Sequence, residues 1–242
     1  MKLNTWTVGD GPRTAVLVHG ASMAGEVWRD FAPILVEKYD LKLILLDQRG
    51  HGRSPRSSSY KVADFVADLV DTLPVGLDFY IGQSLGGLVG AWASAKIKPK
   101  RYIGLDPAFG VSPLSAFMLG RVAPFQPRMP DWMLHAMGGP VKGSPPDTLA
   151  RFRAMWKDWD TSMMRQLASN PDNRNIFPVQ PPAVPSTLLL ADKSFCVSAK
   201  MAQGFREAGW DVRVKPGAEH DLHLQDPHGV IAMLDDLLSA RG

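Results

Sequence analysis

The seven residues IGQSLGG, numbers 81–87, carry the strongest structural signal in the chain. They overlap the end of an apolar run at 77–82, which predicts a buried strand, and begin a stretch at 85–97 that predicts a helix. Residues 82–86 have the pattern G-x-S-x-G, in which a serine stands on a very tight turn from strand to helix. The flanking glycines remove Cβ atoms that would clash in such a turn. The segment therefore predicts a nucleophile at Ser84, with an incidental serine in a glycine-rich turn as the simpler alternative.

Short apolar runs rich in Val, Ile and Leu recur on both sides of this segment. Each run is too short for a typical helix and is bounded by Gly, Pro or polar residues, so each predicts a strand buried on both faces. Stretches with helical spacing of apolar residues separate them. This alternation predicts an α/β fold with a doubly wound, mostly parallel sheet. The predicted strands are 14–19, 41–47, 77–82, 101–106, 186–191 and 211–216, and the predicted helices are 62–73, 85–97, 197–209 and 228–240.

Residues 107–184 interrupt this alternation. They contain twelve of the 20 prolines and seven of the 11 methionines of the chain. We predict a helical cap over the sheet rather than a second domain with strands of its own. The chain then divides into a core domain of residues 1–106 and 185–242 and a cap of residues 107–184, with helical patches around 113–121, 130–137 and 147–168.

The composition excludes several classes of protein. The chain of 242 residues is 45% hydrophobic and 21% charged, which is ordinary for a packed protein of one large α/β domain. Its net charge of +3 comes without a dense run of Lys or Arg, so we expect no nucleic-acid partner. Cys196 is the only cysteine, which excludes an internal disulfide and fits a reducing compartment. No apolar run resembles a signal segment or could span a bilayer, so we expect a cytoplasmic protein without a membrane partner.

Five segments resemble motifs of the α/β-hydrolase superfamily, in the order in which that family carries them. The resemblance covers nearly the full length and implies the α/β-hydrolase fold, with the helical cap inserted after the sixth strand. It also implies that the backbone N–H of Ala21 is one of two oxyanion donors. The other donor is the N–H of Leu85, at the start of the helix that follows Ser84. The segments are VHGAS (18–22), DQRGHGRS (47–54), GQSLGG (82–87), LDPA (105–108) and GAEHDLHLQDP (217–227).

His220 matches the catalytic histidine of that family, and we predict it to be the general base. The nearby His223 and His228, with Asp221 and Asp226, raise the alternative of a metal site. We do not favour it, because the nucleophile already explains His220 and no other part of the chain supplies ligand spacing. We therefore predict no metal. We interpret Arg49, His51 and Arg53 as residues that hold their own loop in place, and His19 as a structural residue of the loop after its strand.

The acid that should orient His220 is less obvious. In most of the family it follows a strand in a pattern like G-x-x-D, and residues 191–194, Ala-Asp-Lys-Ser, place Ser194 at that position. A serine cannot carry the negative charge that stabilises the imidazolium. Asp192 stands two residues upstream, and Asp106 ends the neighbouring strand, where some family members resemble this chain in carrying their acid. We predict Asp106 as the acid, with Asp192 as the alternative.

A serine nucleophile, a histidine base and an oxyanion hole define acyl transfer. We predict hydrolysis of an ester or lactone of a hydrophobic small molecule, with Ser22, Trp132, Met133, Met155 and Trp156 contacting the substrate. The family scaffold leaves open a C–C bond hydrolase, a lyase, a cofactor-free oxygenase, or a ligand receptor with little turnover. No cofactor is expected, because the chain has no P-loop and no G-x-G-x-x-G between a strand and a helix. Whether the chain forms a homodimer stays open.

Overall fold

The structure, a computed structural model, describes residues 1–110, 118, 121–136, 145–169 and 177–240. Most of the helical patch predicted around 113–121 lies outside these residues. Within the described residues, no helix is both long enough and apolar enough to cross a membrane.

Among the described residues, seven strands form one sheet in the order β1-β3-β2-β4-β5-β6-β7. β1 pairs antiparallel with β3, and every other neighbouring pair is parallel. All six predicted strands are present, and the mostly parallel α/β sheet is confirmed. The strands are β1 (Thr5–Val8), β2 (Arg13–Val18), β3 (Leu41–Leu46), β4 (Phe79–Gln83), β5 (Arg101–Leu105), β6 (Ser186–Ala191) and β7 (Asp211–Lys215).

Helices cover the sheet, and others form part of the segment between β5 and β6. The predicted helix at 228–240 is two helices, Pro227–Ala232 and Asp235–Ser239, and the patch at 147–168 is also two helices, Thr148–Lys157 and Ser162–Ser169. The α-helices are α1 (Ala32–Tyr39), α2 (Val62–Thr72), α3 (Leu85–Ile97), α4 (Asp131–Ala136), α5 (Thr148–Lys157), α6 (Ser162–Ser169), α7 (Ala199–Glu207), α8 (Leu222–Gln225), α9 (Pro227–Ala232) and α10 (Asp235–Ser239). Two 3₁₀ helices span Gly25–Asp30 and Ala123–Arg128.

The segment predicted as a cap follows β5, which is the fifth strand along the chain rather than the sixth. The extra helices therefore enter between two neighbouring parallel strands, β5 and β6, near the centre of the sheet. Because the connection leaves from the carboxyl end of β5, it begins at the same edge as the turn after β4.

The central strands of the sheet are buried on both faces. Every residue of β4 and every residue of β2 from Ala15 to Val18 is buried, as expected for strands covered on both faces. The chain order reverses at β2, which lies between β3 and β4. In open α/β sheets, ligands bind at the carboxyl ends of the strands beside such a reversal. We therefore expect a ligand site at the residues just after β2 and β4.

Two buried tyrosines fix the start of α3 over this edge. The hydroxyl of Tyr80, on β4, donates to the carbonyl of Gly86 at 2.7 Å, and that of Tyr102, on β5, donates to the carbonyl of Gly87 at 2.6 Å. Their rings stack with centroids 5.7 Å apart. The first turn of α3 is thus hydrogen-bonded to the sheet directly behind Ser84.

Candidate active site

Ser84 stands alone between β4 and α3, in a strained backbone conformation with φ 50° and ψ −115°. Non-glycine residues seldom adopt a positive φ, and such strain concentrates at functional sites. The turn is so tight that a Cβ on Gly82 would lie 2.6 Å from the Gly86 carbonyl oxygen. A Cβ on Gly86 would lie 2.6 Å from the carbonyl oxygen of His19. The glycines of the G-x-S-x-G pattern are therefore required by close backbone contacts, as the sequence predicts.

The loop after β2, residues 19–22, lies against this turn and contains Ala21. Its first residue, His19, is fully buried and bonds at both ring nitrogens: Nδ1–H donates to the Gly20 carbonyl at 2.7 Å, and Nε2 accepts the Gln48 N–H at 2.9 Å. Burial lowers the pKa of His19 to about 4, so the ring is neutral at pH 7. His19 therefore shapes this loop, in agreement with the structural role predicted for it.

His51 supports the same loop from the other side. Its Nε2 accepts the Ser22 N–H at 3.2 Å, while its Nδ1–H donates to the Arg49 carbonyl at 2.9 Å. Ser22 has φ 61°, in the left-handed region, so this hydrogen bond holds a backbone conformation that is otherwise unfavourable. The ring of Trp159 stacks on His51 with centroids 5.8 Å apart. His51 thus connects the Ala21 loop to the segment between β5 and β6.

The structure brings His220 and Asp106 together. Nδ1–H of His220 donates to Asp106 Oδ2 at 2.6 Å, and the other carboxylate oxygen accepts the Ala191 N–H at 3.2 Å. Asp106 is fully buried at the end of β5 and has a left-handed backbone, with φ 43°. With Nδ1 occupied in this way, Nε2 of His220 is the ring nitrogen left to accept a proton.

Asp192, the alternative acid, lies elsewhere. It is exposed, and its Oδ2 accepts the Gly217 N–H at 3.2 Å, which ties the loop after β7 to the end of β6. Among the described residues no hydrogen bond joins Asp192 to His220. Ser194, at the family's usual acid position, accepts the N–H groups of Cys196 and Val197 at 3.1 and 2.9 Å. It therefore forms a turn instead of orienting the histidine.

Ser84 and His220 line one cavity of about 230 Å³. The predicted oxyanion residues Ala21 and Leu85 line the same cavity, as does Ser22. The remaining wall is mostly apolar and combines residues of the core with residues of the segment between β5 and β6. Its larger apolar members are Met23, Val62, Leu88, Trp159, Met164, Leu167 and Phe195.

Four residues that the sequence predicts as substrate contacts are not among the described residues that line this cavity. Met155 and Trp156 are buried in α5, which contacts the 3₁₀ helix Ala123–Arg128, and Trp156 packs on Phe152 with ring centroids 5.7 Å apart. The apolar stripe of α5 is therefore part of the hydrophobic core and not of the cavity wall. Trp132 is 69% exposed, and Met133 is half-buried on the same helix, α4.

The comparison with known proteins identifies the family. A model of the alpha/beta hydrolase family matches residues 15–233. The chain belongs to the alpha/beta hydrolase family. That match begins in β2 and ends after α9, so it includes the Ser84 turn, the end of β5 and the loop that carries His220.

Proteins similar to this α/β-hydrolase include two esterases. A pimeloyl-[acyl-carrier protein] methyl ester esterase of Edwardsiella ictaluri is 37% identical over 99 residues, which cover 41% of this chain and 37% of that protein. An esterase of the same name from Vibrio cholerae is 30% identical over 149 residues, or 56% of this chain and 57% of that protein. The matched part thus spans less than two thirds of either relative.

Solved structures share the fold of this α/β-hydrolase over its whole length. The esterase EaEST from Exiguobacterium antarcticum superimposes with a TM-score of 0.78 at 17% identity, covering 98% of this chain and 96% of that one. Identity at this level establishes the architecture alone.

Charged neighbours tune His220 in this α/β-hydrolase. Burial alone lowers the pKa of His220, but the adjacent Cys196 sulfur and the Asp106 carboxylate outweigh burial and hold it well above its ordinary value. Burial raises the pKa of the Cys196 thiol, whose sulfur lies 3.8 Å from His220 Nδ1, so the thiol is uncharged at pH 7. The negative groups that favour the imidazolium, once His220 takes a proton, are therefore Asp106 and the neighbouring Asp221.

The residues of the metal alternative do not converge in this α/β-hydrolase. His223 is buried against Trp28, with ring centroids 4.6 Å apart, and His228 is exposed. Asp226 pairs with Lys215 at 2.7 Å and caps α9. Within the described residues, the metal-type ligand atoms that do lie close together belong to Asp106, Cys196 and His220, all within 4.8 Å of one another. The hydrogen bond between His220 and Asp106 accounts for most of that proximity.

Several cavity residues of this α/β-hydrolase were not predicted. Gln83 and Asp221 line the cavity, and each stands next in sequence to a predicted catalytic residue, which is a signal that could have indicated them. Phe195 and Cys196 lie on the turn that Ser194 forms. No local pattern marks these two residues, because only the packing of distant segments brings them to the cavity.

Proposed function

We propose that this protein is a carboxylic ester hydrolase that acts through an acyl-enzyme. Ser84 is the nucleophile, His220 the general base and Asp106 the acid that orients it. The hydrogen bond of 2.6 Å between His220 and Asp106 carries this proposal, because it gives the imidazole a buried carboxylate partner in the cavity that Ser84 lines. The strained turn at Ser84 and the names of the esterase relatives support it.

The chemical steps follow from this arrangement. Nε2 of His220 takes the Ser84 proton as Oγ attacks the ester carbonyl, and the N–H groups of Ala21 and Leu85 stabilise the oxyanion. The protonated imidazole then gives its proton to the leaving alcohol. A water molecule attacks the acyl-enzyme by the same route, with His220 as base, and releases the acid. Asp106 stays ionised throughout and stabilises the imidazolium.

The substrate we propose is an ester, or its cyclic form, a lactone, with an apolar acyl group. The mainly apolar cavity wall supports this, since each buried methylene contributes about 0.8 kcal/mol to binding. A methyl ester of a chain held on an acyl-carrier protein, as in the names of the relatives, fits this class. The proposal for this chain extends only to the ester and its apolar acyl chain.

We also propose that residues 107–184 act as the cap of this site, over a core of residues 1–106 and 185–242. Trp159, Met164 and Leu167 support this role, because they line the cavity together with residues of the core. The apolar wall on that side then comes from the cap, and the nucleophile and base come from the core.

A labelling experiment tests the mechanism. Incubation with a fluorophosphonate should add one phosphonyl group to the wild type, as an increase in intact mass, and should leave Ser84→Ala unmodified. The exposed Ser58 gives a matched control, and Ser58→Ala should be labelled like the wild type. With a chromogenic ester, the wild type should show a burst from the acyl-enzyme, and Ser84→Ala should lose up to about 10⁶ of kcat. Ester binding with neither burst nor label would instead indicate a receptor.

A further inference from the structure

The cavity has one acidic wall residue, Asp221. Among the described residues that line the cavity there is no other carboxylate and no Lys or Arg. Asp221 Oδ1 accepts the side-chain N–H of Gln83 at 3.2 Å. In the described part of the chain the other carboxylate oxygen, Oδ2, has no hydrogen-bond partner. Asp221 therefore has an unused acceptor beside an otherwise mostly apolar space.

Gln83 adds a second unused acceptor. Its side chain is 1% exposed, and its Nε2 donates to Asp221 and, at 3.4 Å, to the His220 carbonyl. Its Oε1 is buried and has no partner among the described residues. That oxygen lies against Gly20, at a position that a Cβ on Gly20 would overlap. The Gln83 side chain thus lies between the two loops: its oxygen is beside the Ala21 loop, and its nitrogen donates to the loop that carries His220 and Asp221.

The Oε1 atom of Gln83 is buried and costly to leave unpaired, whereas Asp221 is half-buried and lines the cavity. A buried polar group without a hydrogen bond loses its hydration without replacement, and a charged one loses more. Burial raises the pKa of the Asp221 carboxyl, which is the direct expression of that cost. An apolar side chain at position 221 would avoid it, so a group that binds in the cavity is the natural partner for these oxygens.

We infer that Asp221, together with Gln83, binds a hydrogen-bond donor of the substrate, a hydroxyl, amine or amide N–H close to the ester that Ser84 attacks. The inference rests on the proposed function and narrows its substrate class to esters or lactones that carry such a donor. It also disfavours substrates with an anionic group directly beside Asp221, because two like charges repel each other there. A site with fixed acceptors rejects an analogue that lacks the donor, since the acceptors are then left unpaired.

Pairs of esters of nearly equal shape test this inference. In the first pair, 2-hydroxyethyl butanoate and propyl butanoate differ by a hydroxyl for a methyl in the alcohol. In the second pair, propyl 3-hydroxybutanoate and propyl 3-methylbutanoate differ in the same way in the acyl group. The measured quantity is the ratio of kcat/KM within each pair. A ratio cancels any general loss of activity, so a merely structural role of Asp221 would leave it unchanged.

The wild type should favour the hydroxylated ester of at least one pair by about tenfold or more, as expected for a hydrogen bond to a charged group. Asp221→Leu should bring that ratio close to one. Asp221→Asn keeps the side-chain size and an oxygen for Gln83, and should lower the ratio if Asp221→Leu does not fold. Glu219→Leu is the matched control, because it removes an exposed carboxylate two residues away and should keep the wild-type ratio.

The same comparison without turnover uses Ser84→Ala, alone and combined with each Asp221 substitution. Tryptophan fluorescence measures the binding of the four esters to these variants. If wild type and Asp221 variants show equal ratios in both pairs, in turnover and in binding, the inference is overturned. Hydrolysis of all four esters with equal ratios would overturn it while leaving the proposed function intact. If no ester is hydrolysed but the hydroxylated ones bind tighter only when Asp221 is present, the proposed function fails and the donor site stands.

Discussion

Asp106 combines a strained backbone with a fully satisfied carboxylate. Its φ of 43° is unfavourable for a residue with a Cβ, and such conformations persist only where the surrounding structure enforces them. Here its N–H donates to the Leu189 carbonyl at 2.9 Å, and its two carboxylate oxygens accept from Ala191 and His220. Hydrogen bonds from β6 therefore aim the carboxylate at His220, which is what an orienting acid requires.

The first prediction compares the two candidate acids. Asp106→Asn should lower kcat by about 10⁴, because an amide at this position favours the wrong tautomer of His220. Asp192→Asn should stay near wild-type activity, since its oxygen bonds the backbone of Gly217 instead. Steady-state kinetics with one ester measures both, and circular dichroism checks that both variants fold. Loss of activity in Asp192→Asn with a nearly normal Asp106→Asn would reverse the assignment.

At the scale of elements, two loops depend on each other for their shape. The loop after β2 contains Ala21, and the loop after β3 contains His51, whose Nε2 accepts the Ser22 N–H. Burial lowers the pKa of His51 to about 3, so the ring stays neutral and can accept this bond at working pH. The direction of the Ala21 N–H is thus set partly by a residue of the neighbouring loop.

The second prediction follows from that dependence. His51→Ala should lower kcat about tenfold while KM changes little. In the proposed mechanism the Ala21 N–H stabilises the oxyanion, so a misdirected N–H reduces the stabilisation of the transition state and not the binding of the substrate. His51→Gln should recover part of the loss, since its amide oxygen can accept the same N–H. Arg53→Ala, an exposed position in the same loop, is the control and should match the wild type. An unchanged kcat in a folded His51→Ala would show that the loop holds its shape without this hydrogen bond.

The third prediction concerns the apolar cavity wall that residues between β5 and β6 supply. If Trp159 contacts the acyl chain, kcat/KM should rise about fourfold for each added methylene in the wild type, the equivalent of about 0.8 kcal/mol. Trp159→Ala should flatten this rise. Trp132→Ala removes an indole that is 69% exposed and should leave the rise unchanged. A series of p-nitrophenyl esters from acetate to octanoate measures the slopes. A flat series in the wild type would mean that these aromatic residues only pack the cap.

For the whole molecule, the features that the sequence predicts well are local ones. The Ser84 turn was predictable because its glycines are required within five consecutive residues. The central strands were predictable because strands buried on both faces are continuous apolar runs, as at 186–191. β1 was missed because it has only four residues, alternates between exposed and half-buried, and lies at the sheet edge. The pairing of Asp106 with His220 was predicted because Ser194, and not an acid, stands at the family's usual acid position.

The cavity wall was not predictable, because it depends on how distant segments pack. Met155 and Trp156 share an apolar stripe with helical spacing, and such a stripe does not tell which neighbour it faces. In the structure these residues belong to the hydrophobic core, and Trp159, past the end of that helix, lines the cavity. Asp221 was considered only as a metal ligand, since nothing in its sequence context indicates that it faces an apolar space.

Acid stability is a property of the whole molecule, because three histidines are buried in its core: His19 and His51, whose ring centroids lie 5.0 Å apart, and His223. Burial lowers the pKa of His19 to about 4 and the pKa of His51 and His223 to about 3. In the unfolded chain a histidine has a pKa of about 6.5. Below that pH the unfolded state binds protons that the folded state does not, which favours unfolding. The contribution of these three histidines to the free energy of unfolding should therefore be greatest above pH 6.5 and fall as the pH drops toward 3.

The fourth prediction isolates His223. Neither of its ring nitrogens has a partner among the described residues, and its ring packs on Trp28, so His223→Phe should keep the contact without losing a hydrogen bond. Between pH 7 and pH 5 the free energy of unfolding should fall by about 2 kcal/mol less in His223→Phe than in the wild type. Urea unfolding at the two pH values measures this difference, and His228→Phe, at an exposed position, should behave like the wild type. An equal fall in wild type and His223→Phe would mean that folded His223 binds a proton in this pH range as readily as it does in the unfolded chain, which its burial should not allow.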